Sequence, residues 1–429
     1  MAVTLTDIHH ATIHRAIEAV WRIESARVIA SLARMVRDVG LAEELAQDAL
    51  VAALEKWPES GIPDNPGAWL TAAAKHRALD HFRRNKLLER KHQELGRELK
   101  SQQEAAVANF EIAENSEIED DLLRLVFISC HPVLSTEARV ALTLRLLGGL
   151  TTTEIARAFL TPEPTIAQRI VRAKRTLSDA KVPFEVPAPK ERAVRLSSVL
   201  EVIYLIFNEG YSATSGDDWM RPDLCNDALR LGRMLAELAP SESEVHGLVA
   251  LMEIQSSRFS ARTTSSGEPI LLLQQNRALW DQLLIRRGLA ALDRARQVGP
   301  AGQYVLQASI AACHARAHIA DETDWTLIAE LYAQLAAIAP SPIVQLNRAV
   351  AISMAEGPAA GLAIVDQLVE EPSLRNYHLL PSVRGDFLAK LGRFAEASEE
   401  FVRAASMTAN ARERELLLER ARKAEQQTV

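Results

Sequence analysis

The stretch from Gly148 to Leu177, GGLTTTEIARAFLTPEPTIAQRIVRAKRTL, leaves little freedom in how it folds. Thr151 followed by Glu154 forms a capping box, in which the Thr hydroxyl and the Glu carboxylate satisfy unpaired N–H groups at a helix start. A short helix is predicted next, with Ile155, Ala156, Phe159 and Leu160 along one side. Thr161, Pro162, Glu163 and Pro164 then stop it, because proline lacks an N–H donor and restricts the residue before it. Pro164 also suits the first turn of a new helix. At about 100° per residue, Ile166, Ile170, Ala173 and Leu177 share one stripe of that helix, while Thr165, Gln168, Arg169, Arg172 and Arg175 fall opposite. This is the pattern of a helix-turn-helix whose outer face carries the donors that phosphates and guanine edges require. A solvated amphipathic helix with ordinary surface charge has the same pattern, so other parts of the chain must decide.

An aliphatic, Ala-rich composition with 5% aromatic residues and few alternating β-branched runs points to an all-α protein. A length of 429 residues suggests two to four domains. The net charge of -7 conceals a division. Lys75 to His92 holds seven Lys/Arg against two acids, and Glu94 to Asp121 inverts this, with acids outnumbering Arg97 and Lys100. Local patches, not net charge, therefore bear on a nucleic-acid partner. Cys130, Cys225 and Cys313 lie far apart with no CxxC pair, the usage of free buried thiols rather than of a metal site or disulfide framework. No metal or cofactor is expected. The start MAVTLTDIHH lacks a basic region followed by an apolar core, and Val199 to Phe207 is too short to span a bilayer. A soluble cytoplasmic chain with no membrane partner is expected.

Residues 1–92 form a helical block broken by the turn-rich PESGIPDNPG (Pro58 to Gly67), and residues 93–118 an acidic linker. Residues 119–182 form a compact unit ending in the helix-turn-helix, closed by the proline-spaced VPFEVPAPK from Val182 to Lys190. Beyond it, 183–290 and 291–429 are helical, and this C-terminal half carries weak internal repeats. LAELAPSESEVHGLVALM (Leu235 to Met252) resembles LAAIAPSPIVQLNRAVAI (Leu335 to Ile352): a helix end, an APS turn and a new helix. Gly357 and Gly392 punctuate two Ala-rich hairpins 35 residues apart. That is close to the roughly 34-residue period of tetratricopeptide (TPR) helix pairs.

Within the extension, NEGY sets Asn208, Glu209, Gly210 and Tyr211 after an apolar helix. A carboxylate there has the chemistry of a general base. It equally pins a turn, with Gly210 supplying an unusual backbone angle. With no partner acid, no GxxxxGK loop and no HExxH, the structural or regulatory reading is preferred, and no enzyme is expected.

MVRDVGLAEELAQDALVAALEKW (Met35 to Trp57) followed by NPGAWLTAAAKHRALDHFRRNK (Asn65 to Lys86) resembles region 2 of bacterial extracytoplasmic-function (ECF) sigma factors of the sigma-70 family. An acidic amphipathic helix there precedes a loop, an A-W-L helix start and a basic helix ending in Arg-Arg. Residues 119–181 resemble region 4 of the same family, and order and spacer also match. The remainder resembles the TPR-like extension of one subgroup, with YLIFNEGYSATSG (Tyr204 to Gly216) as its signature. The resemblance implies a polymerase-binding helix with Glu43, Glu44, Gln47, Asp48 and Leu50. It implies a −10 interface with Asp64, Asn65, Lys75, His76, Arg77, Arg83 and Arg84, and a −35 interface with Thr165, Gln168, Arg169, Arg172 and Arg175. Family members often carry Asn near the position that His76 holds. Trp69 is read as a core anchor. The implied partners are RNA polymerase core, promoter DNA and a regulatory protein on the TPR-like helices. Two alternatives remain open: a TPR adaptor, and a dimeric helix-turn-helix regulator acting without polymerase.

Overall fold

The computed structural model describes residues 5–93, 115–159, 161–213, 215–216, 219–264 and 267–427. Leu160 and nearly all of the expected acidic linker lie outside them. By proximity the chain divides into two compact units, Met1–Val202 and Ile203–Val429.

Three long helices open the first unit: α1 (Leu5–Val36), α2 (Val39–Ser60) and α3 (Pro66–Gln93). Asp38 caps α2 by accepting from the Leu41 N–H at 2.9 Å. Small residues on one face of α2, Ala42, Ala46, Ala49 and Ala53, are buried and let α1 and α3 approach closely. The turn expected from Pro58 onward is shorter than predicted. α2 continues through Pro58 to Ser60, and the Gly61 N–H bonds back to the Trp57 carbonyl at 2.9 Å with φ at +80°. The physical reason is Trp57, whose fully buried indole anchors that last turn against the proline's local preference. Asn65 then starts α3, its side chain accepting from the Ala68 N–H at 3.0 Å ahead of Pro66. Trp69, one turn in, meets Trp57 edge to face with ring centres 5.3 Å apart, as a core anchor would.

Four shorter helices follow, α4 (Asn115–Ser129), α5 (Thr136–Leu146), α6 (Thr152–Ala158) and α7 (Glu163–Asp179), and then α8 (Pro189–Tyr211), in which the two units divide. α4 packs along α1, where buried Asp121 takes Arg34 at 3.2 Å and Arg124 at 2.5 Å. Within this group α5 and α6 both pack on α7, so the helix-turn-helix has its own small core.

Among the described residues, ten α-helices follow α8 in the second unit: α9 (Pro222–Leu238), α10 (Ser243–Ser256), α11 (Gln282–Val298), α12 (Gln303–Arg316), α13 (Trp325–Ile338), α14 (Pro342–Glu356), α15 (Pro358–Leu368), α16 (Leu379–Lys390), α17 (Phe394–Met407) and α18 (Ala411–Gln426). Helices pair with their neighbours in sequence from α9 to α18. The APS repeats have the same cap. Ala239 sits at φ -134°, ψ 60° and Ala339 at φ -134°, ψ 70°, each donating its N–H to the leucine four residues back. Gly357 (φ +107°) and Gly392 (φ +77°) take the backbone angle that glycine favours at the two hairpin turns. At the crossings, a Cβ on Gly361 would meet the Ala349 carbonyl at 2.8 Å, and one on Gly385 the Phe401 ring at 2.9 Å. These are the close helix approaches that small residues permit. Among the described residues the named strands are β1 (Ser215–Gly216) and β2 (Ala409–Asn410), a parallel two-residue pairing, so the protein is all-α. No described helix is long and apolar enough to cross a membrane, and no group of three or more described His, Cys, Asp or Glu is placed to hold a metal ion.

Candidate nucleic-acid interface

The capping box predicted at Thr151 forms. The Thr151 N–H donates to Glu154 Oε2 at 2.7 Å, and the Glu154 N–H donates to Thr151 Oγ1 at 3.1 Å. Arg145 on α5 holds the preceding turn, donating through Nη1 to the Leu150 carbonyl at 3.1 Å. α7 then starts after Pro162 without a side-chain cap. Its Ile166, Ile170, Ala173 and Leu177 are buried, and Thr165, Gln168, Arg172 and Arg175 are exposed with Arg169 half-buried beside them. All five expected residues therefore share one open face. Arg175 reaches Asp179 at 3.5 Å, an exposed ion pair of the kind that contributes at most about 1 kcal/mol and releases readily. Val171, which the sequence reading passed over, is 63% exposed on this face between Gln168 and Arg175. Its signal was an aliphatic residue on the outer side of the periodic pattern.

α3 presents its cations along one helix. Lys75 is half-buried, His76 is exposed and lies 3.3 Å from Asp80, and Arg83 reaches the same carboxylate at 3.5 Å. Arg77 meets Asp48 of α2 at 3.6 Å, and Arg84 stands in solvent. These long exposed pairings leave the basic run available to phosphates. Asp64 is exposed in the loop before it, and Asn65 is committed to capping α3.

The acids of α2 do not act together. Glu44 and Asp48 are exposed, Gln47 and Leu50 half-buried, and Glu43 is only 2% exposed. Its carboxylate accepts from Arg145 Nε at 2.6 Å and Gln47 Nε2 at 2.5 Å, and pairs with Lys174 of α7. The open stripe of α2 is instead Glu44, Asp48, Val51 and Glu55, spaced four, three and four residues apart, with Val51 50% exposed. Val51 and Glu55 were not anticipated; the helical spacing from Glu44 was the available signal.

NEGY is the last turn of α8 rather than a turn beyond it, and Gly210 does not take the unusual backbone angle expected of it; the segment instead braces the second unit. Glu209 pairs with Arg221 at 2.5 Å, and the Gly210 carbonyl accepts from the Arg221 N–H at 2.7 Å. A Cβ on Gly210 would lie 2.8 Å from the Cys225 backbone nitrogen, so glycine is needed for α9 to approach. Tyr211 donates its hydroxyl to Gln255 at 2.8 Å, and the Arg262 guanidinium lies 3.6 Å over its ring. Asn208 bonds Tyr204, whose phenol burial pushes up in pKa. Burial also raises the Cys130 thiol and pushes Cys225 up to about 12, so both are held as neutral thiols.

Comparisons with known proteins agree with this geometry. Residues 22–87, spanning most of α1 through α3, match Sigma-70 region 2, and residues 124–177, from α4 to α7, match Sigma-70 region 4. Residues 195–296 match a family of unknown function, DUF6596. An uncharacterized protein of Rhizobium meliloti (strain 1021) is 41% identical over 395 residues, covering 90% of each chain. The ECF RNA polymerase sigma factor SigK of Mycobacterium ulcerans (strain Agy99) is 31% identical over 157 residues, covering 35% of this chain and 78% of that one. The probable ECF RNA polymerase sigma factor SigI of Mycobacterium tuberculosis (strain ATCC 25618 / H37Rv) is 26% identical over 181 residues, covering 42% of this chain and 61% of its own length. A basic helix-turn-helix, a basic helix capped behind an exposed loop, and these matches in the same order lead to one conclusion: the chain belongs to the ECF group of the sigma-70 family of RNA polymerase sigma factors and carries a C-terminal helical extension.

Proposed function

We propose that this sigma factor binds RNA polymerase core, selects promoters through two separate DNA contacts, opens the duplex and starts transcription. The observation that carries this reading is the open face of α7, where Thr165, Gln168, Arg169, Arg172 and Arg175 converge while the opposite stripe is buried. In this assignment residues 119–182 read the −35 element in the major groove, with Gln168 and Arg169 on base edges and Arg172 and Arg175 on phosphates. Residues 1–92 engage the −10 element: the loop at Asp64 and Asn65 meets the opened strand, and Lys75, His76, Arg77, Arg83 and Arg84 line its backbone. Glu44, Asp48, Val51 and Glu55 form the exposed part of the polymerase surface, joined by Glu43, Gln47 and Leu50. Residues 93–118 link the two regions.

The extension, assigned as 183–290 with NEGY and 291–429 with TPR-like helices, modulates activity. Its stacked pairs present the repeated surface on which a regulatory protein docks. Asn208, Glu209, Gly210 and Tyr211 act by holding α8 to α9 and α10. The chain works in the cytoplasm beside polymerase, which performs the bond-forming chemistry.

Equilibrium selection from a random duplex library tests the reading. The chain with core polymerase should enrich a two-part sequence, and the chain alone should enrich none. Enrichment of a pseudo-palindrome by the chain alone would identify a dimeric regulator, and enrichment by neither would leave the adaptor.

A further inference from the structure

The connection from Ser257 to Asp281, between α10 and α11, holds no α-helix among its described residues, only short 3₁₀ turns at Phe259–Ala261, Leu272–Gln274 and Arg277–Leu279. Connections of this length without regular structure are uncommon in compact domains and usually functional. This one encloses positive charge. Arg262 is 5% exposed, Arg277 is 8% exposed, and Arg258 is half-buried. The Arg262 guanidinium lies 3.6 Å from the centre of the Tyr211 ring and 4.7 Å from that of Trp219, and its Nη1 donates to the Tyr211 carbonyl at 2.5 Å. Arg277 donates to the carbonyls of His314 at 2.7 Å and Ala317 at 2.8 Å, and to Thr323 Oγ1 at 2.9 Å. Arg258 donates to Gln255 Oε1 at 3.0 Å and to Gln275 Oε1 at 3.1 Å. Every one of these acceptors is uncharged, and none of the three cations pairs with a carboxylate of the described residues. Elsewhere in the same unit Arg221 is enclosed with Glu209 at 2.5 Å, and buried Glu253 meets Arg233 at 2.7 Å.

A guanidinium keeps its proton in a protein, so enclosing it without a counter-charge is costly. Two helix ends offset part of that cost. Arg262 bonds the C-terminus of α8 and Arg277 that of α12, each end worth about half a negative elementary charge. Against three cations, these ends leave roughly two positive charges unmatched. Burial lowers the pKa of both Arg262 and Arg277, and the Arg258 cation lowers each further, so the three charges feel one another. Unsatisfied polar groups gather in the same place. Arg277 Nε, Trp280 Nε1 and His314 Nδ1 are buried without a partner, in residues 8%, 3% and 8% exposed. The guanidiniums of Arg258 and Arg277 stand 5.4 Å and 5.1 Å from the centre of the Trp280 ring. Indole and guanidinium nitrogens only donate, so whatever satisfies them must accept.

We propose that Arg258, Arg277 and Trp280 form a binding site for a phosphate group. The charge matches, because such a group carries about −1.5 to −2 near neutral pH, close to the surplus that the three arginines leave. The planar fork of arginine also suits its oxygens. Arg277 Nε and Trp280 Nε1 supply enclosed donors, half-buried Arg258 forms the rim, and Arg262 adds its field from beside Tyr211. The group arrives either as free phosphate or on a small phosphorylated molecule. The site lies wholly within the C-terminal unit and involves neither polymerase nor DNA, so it stands or falls apart from the promoter reading.

The test is equilibrium dialysis of the full chain against radiolabelled inorganic phosphate, at an ionic strength held constant with chloride. Wild type should take up one equivalent at millimolar phosphate. Arg258→Gln should weaken binding about 10-fold or more, the worth of a hydrogen bond to a charged group. Arg258→Lys, which keeps the charge but loses the fork, should fall between the two. Trp280→Phe keeps the ring and deletes the N–H, and should also weaken binding while preserving the packing. Phosphate should slow amide exchange across Ser257–Asp281, which places the ion there rather than on the basic faces of α3 and α7. Displacement of the label by glycerol 3-phosphate at lower concentration than by phosphate itself points to a phosphorylated molecule as the source. Displacement only at higher concentration points to free phosphate. No bound phosphate, displacement by chloride at equal concentration, or equal affinity in wild type, Arg258→Gln and Trp280→Phe overturns the site.

Discussion

Replacing Gln168 and Arg169 together by Ala should flatten −35 selectivity while leaving the fold intact. Both side chains lie outside the buried stripe of Ile166, Ile170, Ala173 and Leu177, so stability should change by no more than about 0.5 kcal/mol. Both stand on the open face of α7, where DNA can reach them without the helix being unpacked. A bidentate Arg–guanine or Gln–adenine contact discriminates by about 1–3 kcal/mol. Loss of both amounts to about 2–6 kcal/mol, or roughly 30-fold to 10⁴-fold, in preference for the selected −35 sequence over a scrambled one. The assay is competition between those two promoters for holoenzyme at one fixed salt concentration, with −10 sequences identical. Replacing Arg172 and Arg175 instead should weaken both promoters alike and lower the slope of log affinity against log salt by about one per lost phosphate contact. A holoenzyme with both Gln168→Ala and Arg169→Ala that keeps the original preference, with thermal unfolding unchanged, would refute the assignment of this face to bases.

Further outcomes follow from other parts of the structure. If Val171, 63% exposed, packs on a thymine methyl, deoxyuridine in place of each −35 thymine should weaken wild type at one position, and Val171→Ala should abolish that difference; equal sensitivity in both proteins rejects the contact. Gly210→Ala forces a Cβ to 2.8 Å from the Cys225 nitrogen and 2.9 Å from the Arg221 carbonyl. Overpacking of this kind costs about 1–3 kcal/mol, roughly 2–12 °C for a unit of this size, and an unchanged melting curve would contradict the close approach. His314 is pushed down to about 3, chiefly by burial, with the Arg258 and Arg277 cations adding to it. The unfolded chain takes this proton near 6.5 and the folded one does not, so stability is full above 6.5 and is lost as pH falls from there toward 3. Denaturant titrations at pH 7 and pH 5 should show a loss of up to roughly 1.4 kcal/mol per pH unit in this window, and His314→Phe, which keeps a ring against Trp325, should lessen it.

What was legible in the sequence was mostly local. The Thr151–Glu154 box, the Pro162 and Pro164 break and the inner stripe of α7 depend on residues within a turn of one another, and each forms as read. The APS caps at Ala239 and Ala339 and the turns at Gly357 and Gly392 belong to the same class, because backbone angle and capping are fixed by near neighbours. Pro58 shows the limit of local reading: its preference for a turn yields to the burial of Trp57 beside it. Glu43 shows a larger limit. Its partner Arg145 lies 102 residues away, and no helical period distinguishes an acid that faces solvent from one covered by a distant helix. Val51 and Val171 were missed for the converse reason: periodicity marks aliphatic positions, but only the packing shows which are left uncovered. The NEGY segment is not the turn its Gly suggests: it is the last turn of α8, and glycine at 210 is required by the approach of α9 at Cys225, a three-dimensional contact that no local pattern carries.

The most direct measurement is transcription from a promoter library by purified RNA polymerase core, with and without the full 429-residue chain. The account predicts transcripts only when the chain is present, starting downstream of a shared two-part sequence, and lost when Gln168 and Arg169 are both replaced by Ala. Core that gives the same transcripts without the chain, or chain that binds core yet selects no common sequence, would contradict it.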